Sequence, residues 1–443
     1  VLKDRASARA VGFTGSALIA MGGLGAGALP VGSSGKHAQL GLVCVYTGLL
    51  LLILGWWWYG RVAREESHRG TIALWAAPLL LAPPMFSRDV YSYLAQGLMI
   101  DSGMDVYRHG PALLGGVVAD QVPDVWQHTP SPYGPVFLLV ARGVADLLDA
   151  HLVLGIVAMR LVAIAGLVML AGALRVLARS AGVSPNGATW LALLNPLVLI
   201  HLVAGAHNDA LMVGLLAAGL AAAVRKKPIL GTVLVVAAGL VKWPAALGLI
   251  AVIAICGGRW AWVKVPAVAV VATAAITALA GTGYGWISAL ATPITTGNWS
   301  LTGLLGRWTS GLLGTHLATE VWRWAGLLAM VVVAGVVWSY RARLGPVYCL
   351  GIVLTAVVVF GPAIRPWYVV WGLALLAAVV ANHTVRRVLA AFCAALVLVV
   401  LPDGFGADPE RILLAVLGGL IGVAAFLVVR LAVTLPETVR ASR

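Results

Sequence analysis

The chain repeatedly runs apolar for about the thickness of a bilayer and then breaks at a short polar connection. Such stretches lie near 11–31, 39–59, 71–86, 152–174, 187–204, 209–224, 228–241, 244–257, 265–283, 322–340, 345–361, 367–382, 388–402 and 412–432. A hydrocarbon core about 30 Å thick asks for roughly 20 apolar residues per helix, and fewer where protein shelters the helix. Backbone polar groups in lipid must be satisfied within the segment, so each stretch predicts a helix. Only 10% of residues are charged, against about 25% in soluble domains, so this chain cannot cover a water-facing surface. The expected fold is an all-α polytopic membrane protein, a bundle of about twelve to fourteen spans forming one integral domain over residues 1–443. Segments 228–241 and 244–257 are short enough that one of them is a candidate re-entrant hairpin.

The 30 Lys and Arg against 16 Asp and Glu, a net charge of +14, would ordinarily raise nucleic acid as a partner. Here the cations come in short clusters between apolar runs, the pattern of cytoplasmic loops, and no nucleic acid is expected. With the N-terminus cytoplasmic, alternate connections hold Lys3, Arg5 and Arg9; Arg61, Arg64 and Arg69; Arg225, Lys226 and Lys227; and Arg386 and Arg387. Adding the remaining inner clusters and Arg430, Arg440 and Arg443 places 20 of the 30 cations inside. Both termini are therefore expected in the cytoplasm of a plasma-membrane protein. The opening apolar stretch is too long for a signal sequence and reads as a retained first span. Its Gly22-Gly23-Leu24-Gly25 run reads as a helix-packing surface, since no strand precedes it. Cys44, Cys256, Cys349 and Cys393 each sit in an apolar run and are expected to be buried free thiols.

Polar chemistry collects on the opposite, extracytoplasmic side. Twelve of the 16 acids fall there, seven of them between Asp89 and Asp149. Residues 87–151 make a large first outer loop, in which 134–149 is apolar yet carries Arg142, Asp146 and Asp149 and reads as an interfacial helix. Residues 284–318 make a second outer loop, with Trp286, Asn298, Trp299, Arg307 and Trp308.

Four groups in these regions can carry chemistry. Pro83-Pro84 ends the third span and is followed by Ser87-Arg88-Asp89-Val90-Tyr91-Ser92-Tyr93. An acid held at membrane depth is costly, and a carboxylate there can take a proton from an attacking sugar hydroxyl. An Arg88–Asp89 anchor within an aromatic belt is the plainer alternative. His207-Asn208-Asp209 either caps the next helix, contacts a sugar, or assists a base; as a metal site it has no second cluster nearby. Lys242, in Val241-Lys242-Trp243-Pro244, and Arg365, before Pro366-Trp367-Tyr368, are lone cations between apolar runs. They can hold a lipid phosphate, or merely snorkel to the interface. Thr129-Pro130-Ser131-Pro132-Tyr133-Gly134-Pro135 sets a rigid turn and offers Tyr133 as a stacking ring. Walker, kinase and nucleophile-elbow motifs are all absent, which argues against an ATP-driven pump or a hydrolase of those classes.

In their order and common side, these motifs, with Asn298-Trp299-Ser300-Leu301 and Arg365-Pro366-Trp367-Tyr368, resemble one family across nearly the whole chain. It is the polyprenyl-phosphomannose-dependent α-1,6-mannosyltransferases of actinobacteria, the mannopyranosyltransferase A/B family, of the GT-C class. The resemblance implies a GT-C bundle with its active site outside the membrane and Asp89 as catalytic base. It implies a polyprenyl-phosphate-β-mannose donor, a mannosyl glycolipid acceptor, and extension of the α-1,6 backbone of lipomannan and lipoarabinomannan. No cofactor or metal is then required. The remaining residues are placed by charge and topology: Lys242 and Arg365 would hold the donor phosphate. Arg88, Tyr91, Tyr93, Tyr133, His207, Asn208, Asp209, Trp299, Trp367 and Tyr368 would contact the sugars or line the groove. A GT-C enzyme making α-1,2 linkages or moving arabinose would share this topology. A sugar-lipid flippase or transporter is the rival from another class, but it should place ionisable groups at the midplane, where only Arg160 lies.

Overall fold

Proline punctuates this chain: Pro135, Pro196, Pro228, Pro346 and Pro366 each stand in the first turn of a helix, where the missing N–H would have been unsatisfied anyway. A computed structural model describes residues 2–31, 37–64, 66–291, 299–315, 317–404 and 408–434. Asn298, Arg440 and Arg443 lie outside the described residues. Among the described residues the secondary structure is helical, with no strands. Every apolar stretch identified above carries helix. Among the described residues five helices are long and apolar enough to cross a membrane alone: Ala38–Val62, Leu152–Ser180, Ala261–Ala280, Leu317–Ser339 and Pro409–Thr434. Others, including Asp209–Val224, Pro228–Gly239 and Pro346–Phe360, are apolar but shorter than a full span. The most apolar part of Leu317–Ser339 is only 6% buried. Such bare Val and Leu faces suit lipid and not water, so the protein is a multi-pass membrane protein.

The segment read as one span over 187–204 is instead two helices, Pro185–Ala192 and Pro196–Ala204, bent by 47°. Asn195 makes the break: its side chain accepts from Leu197 N and donates to Leu191 O, replacing ladder bonds that Pro196 interrupts. Residues Leu199–Ala204 then form a π-helical turn. Of the cysteines, Cys349 and Cys393 are buried, while Cys44 and Cys256 are half-buried, because their helices turn that face outward.

Two compact units divide the chain. The first comprises residues 1–88, 189–206 and 387–443. In it Leu2–Ala26 and Ala38–Val62 run antiparallel with their backbones in close approach: a side chain at Gly22 would strike the carbonyl of Gly41, and one at Gly41 the carbonyl of Gly22. The Gly22–Gly25 run is thus a packing surface, as its lack of a preceding strand implied. Pro409–Thr434 packs against Ala38–Val62, where Thr47 Oγ1 donates to Gly418 O at 3.0 Å. Trp56 stacks on Trp190 at 4.6 Å, and each indole N–H donates to the other residue's carbonyl.

The second unit comprises residues 89–188 and 207–386. The outer-loop segment of the sequence reading folds here as helices Asp89–Asp101 and Pro135–Leu148, with short turns between. Leu152–Ser180 crosses Asp209–Val224 at Gly166 and Gly214, whose missing side chains let the two backbones touch. That crossing lies one turn from Asp209, so it also fixes the start of the helix that Asp209 begins.

Candidate active site

Asp89 is the first residue of helix Asp89–Asp101, and Asp209 is the first of Asp209–Val224. Both carboxylates therefore sit at the positive end of a helix. The backbone just upstream of each helix is strained, since Phe86 (φ 63°) and Ala206 (φ 54°) adopt the left-handed region without being glycine. Such residues cost about 1–3 kcal/mol and persist only where the surroundings demand them.

One turn along the first helix, Tyr93 shares the face of Asp89. Its ring packs edge-on against Tyr133 at 5.4 Å and Phe137 at 4.8 Å. Its hydroxyl lies 3.4 Å from Nδ1 of His207, and that same nitrogen is 3.5 Å from Asp89 Oδ2. The His207 ring stacks on Trp367, with centroids 4.0 Å apart. His207 has no exposure, whereas the Asp89 side chain keeps 23%. The imidazole therefore backs the carboxylate from inside, and of the two only the carboxylate keeps an exposed face. Burial above all, then nearby carboxylates, pushes the Tyr93 and Tyr133 hydroxyls well above the ordinary tyrosine range, so both are neutral donors.

The second carboxylate is spent differently. Lys242 Nζ lies 2.9 Å from both oxygens of Asp209, and Trp371 Nε1 donates to Oδ1 at 2.6 Å. Three rings surround the ammonium: Tyr368 at 4.6 Å, Trp371 at 5.5 Å and Tyr133 at 5.9 Å. Burial pulls the Lys242 ammonium down, but the charge and hydrogen bond of Asp209, together with Tyr368 and Asp89, hold the group above its ordinary value. The capping reading of His207-Asn208-Asp209 gives way here. Asn208 makes no side-chain cap, its buried amide has no partner among the described residues, and Asp209 faces a cation.

The turn at Tyr133 is held at several points. Tyr107 Oη donates to Tyr133 O at 3.0 Å, Ser131 Oγ donates to Gln96 Oε1 at 2.9 Å, and Val136 N donates to Leu240 O at 3.1 Å. Gly134 lies so close to Leu240 that a Cβ would fall on its carbonyl. This contact brings Tyr133 beside Lys242, since Leu240 precedes Lys242 by two residues.

Asp89, Lys242, Arg365, Tyr133, Tyr368 and Trp371 line one cavity of about 410 Å³. Trp126, Trp243 and Trp324 line it too, as does the Glu320–Arg323 ion pair. Its remaining wall is apolar, built by Leu327 and Met330 of Leu317–Ser339 and by Val357, Val358 and Phe360. Of the other expected site residues, Tyr91 and Tyr93 are buried and do not line it, and His207, Asn208, Asp209 and Trp367 stand behind those that do. Trp299 is 65% exposed, and its carbonyl accepts from Ile364 N next to Arg365. Arg88 belongs to the first unit, where its guanidinium donates to Leu29 O. Trp371 was missed in the sequence because it lies inside the apolar stretch 367–382. The signal was its spacing, three residues beyond Tyr368 in a helix that starts at Pro366, and the two rings do stack at 4.5 Å. Among the described residues no three His, Cys, Asp or Glu side chains converge as a metal site requires.

The model of the α-(1→6)-mannopyranosyltransferase N-terminal domain matches residues 9–258, and that of the MptB C-terminal domain matches residues 293–429. The chain belongs to the α-(1→6)-mannopyranosyltransferase family. It is 34% identical to α-(1→6)-mannopyranosyltransferase A of Mycobacterium tuberculosis, over 89% of this chain and 84% of that protein. It is 32% identical to a probable α-(1→6)-mannopyranosyltransferase of Mycolicibacterium smegmatis, over 84% of this chain and 78% of that one. To α-(1→6)-mannopyranosyltransferase B of Corynebacterium glutamicum it is 29% identical, over 95% and 81%. No solved structure matches it. As a family member it is a membrane-embedded glycosyltransferase, with a mannose donor and an acceptor as its substrates. The order of motifs in the sequence had pointed to this family.

Proposed function

We propose that this mannosyltransferase uses Asp89 as general base to move mannose from polyprenyl-phosphate-β-mannose onto the 6-hydroxyl of a mannosyl glycolipid, extending an α-1,6-mannan backbone at the extracytoplasmic face. The observation that carries the reading is the amphiphilic make-up of one cavity. Asp89, the cations Lys242 and Arg365 and the Glu320–Arg323 ion pair line it together with an apolar wall on membrane-type helices. A lipid-linked sugar phosphate has the same division, with its polyprenyl chain against Leu327, Met330 and Val357.

In the reaction the acceptor O6 attacks the anomeric carbon from the face opposite the phosphate. The new O6–C1 bond forms as the C1–O phosphate bond breaks, and inversion converts the β-linkage to α. The O6 proton passes to the Asp89 carboxylate, and the bonding pair leaves with polyprenyl monophosphate. Arg365 and the ammonium proton of Lys242 not taken by Asp209 meet the charge that grows on that phosphate. With a lipid phosphate as leaving group, the reaction needs no cofactor and no obligatory metal. Tyr133, Tyr368 and the cavity tryptophans offer faces on which sugar rings stack.

The test uses the purified chain, synthetic polyprenyl-phosphomannose and a short α-1,6-oligomannoside. Wild type should release polyprenyl phosphate and lengthen the acceptor with chelator present. Asp89→Asn, folded to the same melting temperature, should be slower by about 10²–10⁴-fold. A folded Asp89→Asn protein that transfers mannose near the wild-type rate sinks the base assignment. Direct use of a nucleotide sugar would overturn the donor.

A further inference from the structure

The first unit holds a cavity of about 420 Å³ that plays no part in the proposed reaction. It is lined by Leu54, Trp57, Trp58, Arg61 and Val62 of helix Ala38–Val62, by Phe426 and Arg430 of Pro409–Thr434, and by Asp4. Its apolar walls come from two helices long enough to span a bilayer, and its cations lie near the C-terminal ends of both.

Arg430 is partly satisfied, 3.3 Å from Asp4 and stacked 4.4 Å from the centroid of Trp58. Arg61 has its guanidinium 6.0 Å from the Trp57 ring and no acidic partner among the described residues. The cavity therefore keeps one uncompensated positive charge. Trp58 is 5% exposed and packs edge-on against Phe426, which with Leu54 makes the apolar side of the cavity. Nearby Lys3, Arg5 and Arg64 add to the basic character of this end in sequence, with Arg5 paired to Glu66.

We infer that this cavity binds the phosphate of an anionic membrane lipid, with Arg61 and Arg430 on the phosphate oxygens and an acyl chain along Leu54 and Phe426. The shared chemistry would also admit inorganic phosphate, but the apolar walls select a lipid. Basic pockets between membrane helices at the cytoplasmic side recur as headgroup sites, and the positive-inside expectation places Arg61 on that side.

Native mass spectrometry of the full chain in detergent tests the site, with phosphatidylglycerol, phosphatidylcholine and inorganic phosphate as probes. Phosphatidylglycerol should occupy the wild type at least about fivefold better than phosphatidylcholine, and Arg61→Gln should lose about that factor. Arg61→Lys keeps the charge and should retain most of the preference, which separates charge pairing from misfolding. Inorganic phosphate at the same concentration should not displace the lipid. Equal occupancy by both lipids, an unchanged Arg61→Gln, equal loss in Arg61→Lys, or displacement by inorganic phosphate would each overturn the assignment.

Discussion

Replacing Asp209 by asparagine removes a negative charge from a place with no solvent to compensate it. Asp209 has no exposed side-chain surface and its partner Lys242 only 12%. At 2.9 Å and an effective dielectric constant of about 20, the gross attraction is about 6 kcal/mol. Desolvation cancels much of that, yet losing one partner of a buried pair still costs about 3–5 kcal/mol. Asparagine keeps an acceptor for Trp371 Nε1, so about 3 kcal/mol is expected for Asp209→Asn. Lys242→Met should cost a similar amount, since it strands the carboxylate. The double variant leaves no buried charge and should recover stability, giving a coupling near the top of the usual 0.5–3 kcal/mol range. The assay is unfolding of all four proteins in one detergent. Because the folded pKa of Lys242 is raised, the pair's contribution is complete below the ordinary lysine value and is lost only as pH climbs through the higher folded one. Wild type should therefore show no loss from this pair between about pH 6 and about pH 9. In Asp209→Asn, burial acts on the lysine with its main opposing charge gone, so the deficit should narrow as pH rises. Additive single effects, or an Asp209→Asn protein as stable as wild type, would refute the pairing as the reason these residues face each other.

His207→Phe keeps the stack on Trp367 but removes Nδ1 from Asp89, so turnover should fall about 10–100-fold with donor KM nearly unchanged. His207→Asn, which can still reach the carboxylate, should restore part of it. An equal rise in KM would instead mean that His207 touches substrate. Gly134→Ala should be destabilised by about 1–3 kcal/mol, since the added methyl meets a backbone carbonyl that cannot rotate away. A normally stable Gly134→Ala chain with full activity would show that the Tyr133 turn does not depend on this approach.

Much of the site could be read from residue type and position. Asp89 stood out because Pro83-Pro84 ends a span and the next acid is left at a boundary. Lys242 and Arg365 stood out as lone cations between apolar runs. Their partnership could not be read, because Asp209 and Lys242 are 33 residues apart and only the packing of their two helices brings them together. His207 was recognisable as polar, but its role behind Asp89 depends on the Trp367 stack, and Trp367 arrives from 160 residues later in the chain. The bend at Asn195 was hidden inside an apolar run whose average hydropathy looks like one continuous span.

The sequence alone determined the solvent, the helical class and the family. Long apolar runs leave a chain no alternative to internally hydrogen-bonded helices, and this requirement is local. Which carboxylate would be open to a ligand was decided only in three dimensions. Asp89 and Asp209 are both acids at the start of a helix, yet Lys242 and Trp371 saturate one while the other keeps a face toward the cavity. Burial and pairing depend on contacts between distant segments, so the charge pattern, which predicts the same side of the membrane for both acids, could not separate them.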